Sequence, residues 1–448
     1  MSELTEVELE AAPLERFRPL LGERFAEIEH AAAAARETFA GRRIWHVNST
    51  AQGGGVAEML RALLPYARDA GVDTRWVVLP ETDGFFAVTK RIHNRLHGHQ
   101  GDDGELGDEA RAAYERALAW CAGQLRSRVD PKDVIYLHDP QTAGLVPTMK
   151  EAGLATIWRC HIGVDRANDI AREAWDFLRP YVAEADAYVF SRREYLWEGL
   201  DEERAWFMPP VIDPFSPKNE ELDDEQVAAV LAKVAEKATI VEEGPVPDEA
   251  PVVTQVSRWD RLKDPCGLLE VFEHHLRHPT AHLVLVGPDS AGVSDDPEGA
   301  AVYAEVAEHW RGMGDACRAR SHLVSLPMDD LETNARMVNA LQRRAEVIVQ
   351  KSLAEGFGLT VAEAMWKARP VVASRVGGIQ DQVDDGRTGV LVDDPRDLPG
   401  FARAIEAVLG DRDRRAAMGK AGQERVRDNY LAVNRLREYV GLVESLIR

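Results

Sequence analysis

Long apolar runs, cysteine pairs and a surplus of basic residues are all missing from this 448-residue sequence. No apolar stretch approaches the length of a transmembrane helix, and the acidic first residues lack the apolar core of a signal peptide. Acidic residues outnumber basic ones by 76 to 54, which disfavours binding to a nucleic-acid backbone or an anionic membrane. The cysteines are far apart and form no Cys-x-x-Cys pair, as is typical of reduced thiols (Cys121, Cys160, Cys266 and Cys317). We therefore expect a soluble cytoplasmic protein with no nucleic-acid and no membrane partner.

The sequence does contain an alternation of short β-branched runs with helical segments, which predicts parallel α/β sheets. A proline-rich linker around residue 210 separates two such series. We therefore predict an α/β protein with an N-terminal helical extension (residues 1–40), a first Rossmann-like domain (41–210), a second Rossmann-like domain (211–430) and a terminal helix (431–448). The extension would pack on the main fold or on the partner subunit of a homodimer.

Residues 346–363 combine a strand, a glycine turn and the start of a helix. Gly356 and Gly358 allow the backbone to approach a ligand closely, and the first amides of the helix suit a phosphate group. Glu355 and Glu363 lie on either side of this anion site, where each carboxylate could accept hydrogen bonds from sugar hydroxyls. A simpler interpretation stays open, in which Glu363 is a charge favoured by the helix macrodipole and Glu355 is a solvated loop residue.

A second candidate site follows the predicted strand at residues 252–257. Three basic residues come directly after this strand, and two of them, Arg258 and Lys263, are suited to hold a diphosphate. A solvated basic turn is the alternative interpretation. The diphosphate interpretation is favoured because Gly287 and Glu355 also follow strands of the same predicted sheet.

In the first half of the chain, polar residues follow several predicted strands. The glycine turn at residues 53–55 could bind a phosphate or a sugar, but it lacks the G-x-G-x-x-G spacing of a nicotinamide-dependent dehydrogenase. His138, Asp139 and His161 follow two later strands, and ligands of open α/β sheets bind beyond such strand ends. Each histidine taken alone could equally be a buried structural residue, whereas the two together favour the lining of a binding site.

The second half carries a recognisable motif. Residues 355–363 (Glu-x7-Glu), 369–374 (Arg-Pro-Val-Val-Ala-Ser) and 377–378 (Gly-Gly) resemble the donor-site signature of the retaining glycosyltransferases of family 4. The resemblance covers nearly the whole chain. It implies the GT-B fold, in which two Rossmann-like domains face a central cleft and a terminal helix returns to the N-terminal domain.

The first half narrows the resemblance. Residues 46–60, 137–141 (Leu-His-Asp-Pro-Gln) and 158–162 (Trp-Arg-Cys-His-Ile) are similar to the trehalose glycosyltransferring synthases of that family. This similarity implies transfer of glucose from a nucleoside-diphosphate glucose (ADP-, UDP- or GDP-glucose) to free glucose, with retention, to give α,α-trehalose in a reaction that we expect to be reversible.

Residue by residue, the resemblance implies a set of site residues. The catalytic residues would be His161, Glu355, Arg258 and Lys263. The residues that bind the donor would be Gly54, Gly55, Arg258, Lys263, Gly356, Phe357, Gly358, Leu359, Thr360 and Glu363. The residues that bind the acceptor would be Gln52, His138, Asp139, Gln141 and Asp165. One position departs from the family pattern, because Gly163 stands where an acidic residue is expected directly after Ile162.

The expected chemistry needs no cofactor. The sugar becomes oxocarbenium-like as the diphosphate leaves, and the acceptor hydroxyl attacks from the same face. The sequence shows no convincing Asp-x-Asp motif, so we expect no metal site; Mg²⁺ would be compatible with the reaction but is not indicated. Three alternatives stay open: a retaining trehalose phosphorylase, a family-4 enzyme with another acceptor such as a sucrose-forming enzyme, and an inactive scaffold.

Overall fold

The computed structural model describes residues 3–51, 54–80, 83–102, 104–289 and 297–447. The chain divides into two compact units, of which unit 1 consists of Met1–Ile212 with Tyr430–Arg448 and unit 2 consists of Asp213–Asn429. Each unit contains a seven-stranded sheet with helices around it. No helix in the described ranges is long and apolar enough to cross a membrane.

Unit 1 is built on a sheet with the strand order β1-β3-β2-β4-β5-β6-β7, in which only β1 is antiparallel to its neighbour. Its strands are β1 (Thr5–Val7), β2 (Arg43–Asn48), β3 (Asp73–Val78), β4 (Val134–His138), β5 (Ala155–Cys160), β6 (Ala187–Phe190) and β7 (Ala205–Phe207). Its helices before the chain enters unit 2 are α1 (Arg18–Leu21), α2 (Phe25–Thr38), α3 (Gly55–Asp69), α4 (Asp83–Leu96), α5 (Asp108–Arg126), α6 (Val146–Glu151) and α7 (Asp169–Val182). The central strands β4 and β6 are buried along their whole length and β5 at every residue except Ala155, which explains their largely apolar sequences.

Unit 2 has the strand order β14-β13-β12-β9-β10-β11-β8, with only β8 antiparallel. Its strands are β8 (Thr239–Val241), β9 (Val252–Val256), β10 (His282–Pro288), β11 (Ser321–Leu326), β12 (Val347–Gln350), β13 (Val371–Ser374) and β14 (Gly389–Val392). Its helices are α8 (Asp224–Lys237), α9 (Pro265–Glu270), α10 (Pro297–Gly312), α11 (Asp315–Arg318), α12 (Leu331–Arg344), α13 (Leu359–Trp366), α14 (Ile379–Gln382), α15 (Leu398–Leu409) and α16 (Arg412–Asn429). One turn of π-helix, Val271–His275, follows α9.

After α16 the chain returns to unit 1. The Ile212 amide donates to the Tyr430 carbonyl at 2.8 Å, and the Ala432 amide donates to the Ile212 carbonyl at 3.0 Å. The last helix, α17 (Leu436–Ile447), then packs against α2. Residues from both ends of the chain therefore belong to one core.

Three edge strands were not expected from the sequence. The strands β1, β7 and β8 have three residues each, which is too short for an alternating pattern to stand out. The segment predicted as helices alone, residues 1–40, therefore also contains a strand, β1, which pairs with β3. The charged helix predicted for residues 219–239 is α8, which begins later because Asp223 and Gln226 form a capping box.

Both sheets have a topological switch point. In unit 1 the chain places β3 on one side of β2 and β4 on the other. In unit 2 it places β10 on one side of β9 and β12 on the other. Loops that leave the carboxyl ends of two such strands diverge, which opens a crevice where ligands of α/β proteins bind. In unit 2, Lys263 and Glu355 follow β9 and β12, and in unit 1 His138 ends β4 while His161 follows the next strand in the sheet, β5.

Candidate active site

The switch point of unit 2 brings Lys263 and Glu355 together. Lys263 lies in the loop after β9, and Glu355 lies in the loop after β12. The Lys263 ammonium donates to Glu355 Oε2 at 2.5 Å. Ser352 Oγ donates to the same carboxylate oxygen at 3.3 Å. Both charged side chains are mostly buried, so this ion pair is screened by water less than a surface pair. The pairing places one positive and one negative group at the position expected for a diphosphate and a sugar.

A set of hydrogen bonds holds these two loops in register. The Gln255 side chain donates to the Lys263 carbonyl at 2.9 Å and accepts from the Lys351 amide at 3.0 Å. The Leu353 amide donates to the Leu262 carbonyl at 2.7 Å. These contacts connect the backbones on either side of the Lys263–Glu355 pair, which fixes the separation of the two side chains.

Asp264, the residue after Lys263, holds a buried cation that was not predicted from the sequence. Lys351 is fully buried, its ammonium donates to the Asp264 carboxylate, and it lies 5.5 Å from the centre of the Phe401 ring. Asp264 has a left-handed backbone (φ 47°) and also accepts from the Gly267 amide at 3.1 Å, which caps α9. The only signal in the sequence was a lysine directly at the end of a buried strand, a position that is seldom charged without a partner.

The three basic residues after β9 point to different partners. Arg258 is paired with Asp260 at 3.0 Å, and its side chain is 59% exposed. Arg261 contacts Glu305 on α10 instead. Arg258 and Lys263 therefore remain the candidates for a diphosphate, and Arg261 is available as a control.

Helix α13 begins in a tight turn made of glycines. Gly358 has φ +85°, a conformation that other residues seldom adopt. The Gly378 amide donates to the Gly356 carbonyl at 3.2 Å, and a Cβ atom on Gly378 would lie 2.8 Å from Phe357 Cα. The turn therefore presents the start of α13, with Leu359 as its first residue, at the end of β12.

The first turn of α13 is held on the sheet by side chains. Thr360 Oγ1 donates to Gln350 Oε1 at 3.1 Å. The Val361 amide already donates to the Gly358 carbonyl at 3.0 Å. Among the first amides of the helix, those of Leu359 and Thr360 are therefore the candidates for a phosphate oxygen.

Glu363 is 3% exposed and lies 3.7 Å from the Lys218 ammonium. One turn later on α13, the buried Lys367 donates to Asn219 Oδ1 at 2.9 Å and to the Glu363 carbonyl at 3.1 Å. Burial lowers the pKa of Lys367 to about 7, although the Glu363 charge opposes this shift. The sequence did not indicate the partners of this helix (Lys218, Asn219 and Lys367), because Lys367 and Asn219 are 148 residues apart in the chain.

In unit 1, three histidines form a continuous row. His46 Nδ1 lies 3.1 Å from His138 Nε2, and His138 Nδ1 lies 3.3 Å from His161 Nε2. Neighbouring rings are close to parallel, with interplanar angles of 25° and 16°. His138, predicted to bind the acceptor, is 1% exposed and lies between the other two rings. His46 was not predicted as a site residue.

The surroundings keep these rings uncharged. Burial lowers the pKa of His46 to about 3 and holds the pKa values of His138 and His161 well below their usual range. The buried Arg159 guanidinium lowers all three pKa values further, because a second positive charge nearby is unfavourable. Asp139 accepts from the His161 amide at 2.8 Å, and burial raises the pKa of its carboxyl group to about 7.

The remaining predicted residues of unit 1 lie at the ends of β2, β4 and β5. Gly54 has φ +79° and precedes Gly55, the first residue of α3. Gln141 is half-buried in the turn after β4, and Asp165 is paired with Arg192. Gln52 lies outside the described residues.

The unexpected Gly163 has a structural cause. A Cβ atom at this position would lie 2.2 Å from Cγ of the Tyr195 ring, which is buried. An acidic side chain would not fit unless Tyr195 moved. The departure from the family pattern therefore accompanies a particular packing of Tyr195 against the loop that carries His161.

The described part of the chain contains no group of three or more His, Cys, Asp or Glu side chains placed to hold a metal ion. That the reaction needs no cofactor stays a prediction.

Comparisons with known proteins give independent evidence on the family of this chain. Residues 46–197 match the family model "Trehalose synthase, N-terminal domain", and residues 331–425 match "Glycosyl transferases group 1". The trehalose synthase of Rubrobacter xylanophilus is 39% identical over 428 residues, which cover 95% of this chain and 94% of that protein. The trehalose synthase of Thermococcus litoralis is 37% identical over 449 residues, which cover 99% of this chain and 100% of that protein.

The fold is also found among solved structures. The UDP-forming α,α-trehalose-phosphate synthase of Burkholderia xenovorans superposes with a TM-score of 0.68 at 17% identity, over 90% of this chain and 100% of that one. The predicted GT-B fold is thereby confirmed. Two strongly similar full-length relatives and both family models lead to the same conclusion: the chain belongs to the trehalose synthase family of glycosyltransferases.

Proposed function

We propose that this protein transfers glucose from a nucleoside-diphosphate glucose to free glucose, with retention, to form α,α-trehalose in the cytoplasm. The observation that carries the proposal is the Lys263–Glu355 pair at the switch point of unit 2. An ammonium for a diphosphate and a carboxylate for sugar hydroxyls, 2.5 Å apart, match the two ends of a nucleotide sugar. The names of the full-length relatives support trehalose as the product.

The donor would be held by three features of unit 2. Arg258 and Lys263 bind the diphosphate, with the first amides of α13 at a phosphate oxygen. Glu355 accepts hydrogen bonds from the glucose hydroxyls, and Glu363 accepts from the ribose. On donor binding, Lys263 exchanges part of its contact with Glu355 for the diphosphate, and this frees the carboxylate for the sugar.

The reaction would proceed on one face of the sugar. The bond from the anomeric carbon to the phosphate oxygen breaks first, and Arg258, Lys263 and the helix amides take up the negative charge. The acceptor oxygen forms its bond to the anomeric carbon on the same face, and its proton passes to the departing phosphate oxygen. His161 has a pKa well below neutrality, so it would orient the sugar as a neutral ring rather than supply a proton.

Free glucose is favoured as the acceptor over glucose 6-phosphate. Lys90 and Arg91 are adjacent basic residues in unit 1 that could bind the phosphate group of a phosphorylated acceptor. Arg91 donates to both oxygens of Asp102, at 2.6 and 2.9 Å, and to the Glu105 carbonyl at 2.7 Å. Its charge is therefore committed within unit 1, which leaves the polar groups of Asp139 and Gln141 to suit a neutral polyol.

The test is an activity assay in which the protein receives either glucose or glucose 6-phosphate as the acceptor. Each acceptor is combined in turn with ADP-, UDP- and GDP-glucose, with and without EDTA, and the products are analysed. We expect a non-reducing disaccharide from glucose alone and no loss of activity with EDTA. Preference for glucose 6-phosphate would overturn the proposed acceptor. Trehalose cleavage that requires inorganic phosphate would instead identify a phosphorylase.

A further inference from the structure

The row of three histidines in unit 1 has a property that a single buried histidine lacks. Each neighbouring pair of rings is joined through one nitrogen of each, at 3.1 and 3.3 Å. His46 uses Nδ1, His161 uses Nε2, and His138 uses both of its nitrogens. The middle ring therefore has no nitrogen left for a ligand.

A count of protons constrains the row. A neutral imidazole carries one N–H donor and one lone pair, and a hydrogen bond needs one of each. If His138 donates from Nδ1 to His161, it must accept at Nε2 from His46, and all three rings are then protonated at Nδ1. If the direction is reversed, all three rings are protonated at Nε2. Both hydrogen bonds form only when the three rings share one tautomer.

We propose that His46 and His138 are positioning residues, which fix the tautomer and the ring orientation of His161 through this row of hydrogen bonds. The role assigned to His161, as the ring that orients the donor sugar, rests on the proposed function. The other nitrogen of His161, Nδ1, is then held either as a donor or as an acceptor towards the sugar. If the His161 ring alternated between its two tautomers, the hydrogen bond from Nδ1 to the sugar would form only part of the time.

The surroundings support a neutral row with a fixed geometry. The Tyr136 ring stacks on His46 at a centroid distance of 4.9 Å, and successive histidine rings are 5.4 and 5.6 Å apart. The fixed Arg159 cation disfavours an imidazolium anywhere in the row. At the far end, the backbone of His161 is held by Asp139 at 2.8 Å. This backbone contact leaves the tautomer and the orientation of the His161 ring to the row itself.

The direct test is the nitrogen NMR spectrum of the full-length protein with ¹⁵N-labelled histidine, recorded without substrate. We expect the three rings to show the same tautomer, either all Nδ1–H or all Nε2–H. Different tautomers among the three, or an averaged mixture at His161, would overturn the proposal. This measurement needs no turnover, so it stands apart from the trehalose assay: an inactive wild-type enzyme with a uniform tautomer would count against the proposed function alone.

The kinetic test uses His46, which is two rings away from the sugar. His46→Phe keeps a ring but removes the hydrogen bond, and we expect kcat to fall by roughly 10–100-fold through misplacement of His161. The KM for the nucleotide glucose should change little, and the His161 signal should shift to a mixture of tautomers. His46→Asn places an amide near the position of Nδ1, and it should restore most of the lost kcat.

A matched control comes from unit 2. His282 and His322 form a similar buried stacked pair, with 2.9 Å between their nitrogens. His282→Phe should leave kcat and the His161 tautomer unchanged. If His46→Phe behaves like this control in both readouts, the positioning role is wrong. If His46→Phe does not fold, His46→Asn and the wild-type spectrum decide the question.

Discussion

At the scale of single residues, the charged side chains of the candidate site in unit 2 are paired with one another. Glu355 is neutralised by Lys263, whereas Arg258 is paired with the neighbouring Asp260 at an exposed position. A buried carboxylate without a partner would be costly, so the ion pair stabilises the site. A diphosphate can then compete for Lys263 because it offers more negative charge than one carboxylate.

We predict that Arg258→Ala or Lys263→Ala lowers turnover by about 10²–10³-fold, the scale for losing one preorganised donor at the developing charge. Arg261→Ala is the matched control, since this arginine lies in the same loop but contacts Glu305. It should retain wild-type turnover. Steady-state kinetics with a nucleotide glucose make the comparison. Full activity in both the Arg258 and Lys263 variants would refute the diphosphate assignment.

At the scale of elements, the start of α13 depends on a backbone that only glycine adopts easily. Gly358 carries φ +85° between β12 and α13, and a Cβ atom there would lie 3.1 Å from Ile379 and 3.3 Å from Glu355. The strand, the turn and the helix are adjacent in sequence. Their geometry is therefore a local property, and it places the helix amides beyond the strand.

Gly358→Ala should destabilise the protein by about 1–2 kcal/mol, the cost of a left-handed conformation for an L-residue. It should also weaken nucleotide binding, because the first amides of α13 shift. Gly123→Ala in the interior of α5 is the control, since a Cβ atom there meets nothing within 4 Å. That change should stabilise by about 0.5–1 kcal/mol. Denaturant unfolding and calorimetric titration with a nucleoside diphosphate measure both effects; equal nucleotide affinity in the two variants would contradict the role of the helix start.

At the scale of the whole molecule, unit 1 is closed by the end of the chain. The hydroxyl of Tyr439 on α17 contacts the Arg159 guanidinium, which also donates to the Met208 carbonyl at 3.1 Å. Arg159 is 2% exposed, and burial lowers its pKa to about 10. A buried cation next to the histidine row thus depends on a helix that follows all of unit 2 in sequence.

Tyr439→Phe should destabilise unit 1 by about 1.5–3 kcal/mol, the range for a hydrogen bond to a charged group. The ring contact with Tyr136, at a centroid distance of 5.9 Å, would remain. In differential scanning calorimetry the transition of unit 1 should move to lower temperature while that of unit 2 is unchanged. An equal shift of both transitions would show that the effect is not confined to unit 1.

The lowered pKa values of the buried histidines determine how the free energy of unfolding of the whole protein depends on pH. Burial lowers the pKa of His282 to about 4 and that of His46 to about 3, and His138, His161 and His322 shift in the same direction. Between pH 6.5 and 4 the unfolded chain therefore binds more protons at these sites than the folded chain does. Their contribution to stability is complete above pH 6.5 and is lost as the pH falls towards 4. Asp139 acts in the opposite direction, because its pKa is raised to about 7.

We expect the free energy of unfolding to decrease as the pH falls from 6.5 to 4, since five histidines oppose one aspartate. Urea unfolding at a series of pH values measures the slope. His282→Phe removes one titrating group and should make the slope shallower. A free energy that is constant or rises over this range would contradict the assignment of neutral buried histidines.

The sequence by itself determined the two α/β units, most of their strands and the loop from Glu355 to Glu363. These features are encoded locally, by runs of β-branched residues and by glycines that stand next to the helix they precede. Only the tertiary structure decided which residues meet. Lys263 and Glu355 are 92 residues apart in the sequence, and so are His46 and His138.

Each of these contacts exists because two strands lie side by side at a switch point, and their register depends on the packing of a whole sheet. The same reason explains why Lys351 and Tyr439 escaped notice, since a buried charge is recognised only once its partner is in place. It also explains Gly163, whose missing side chain has a physical cause only when the Tyr195 ring is seen to fill that space.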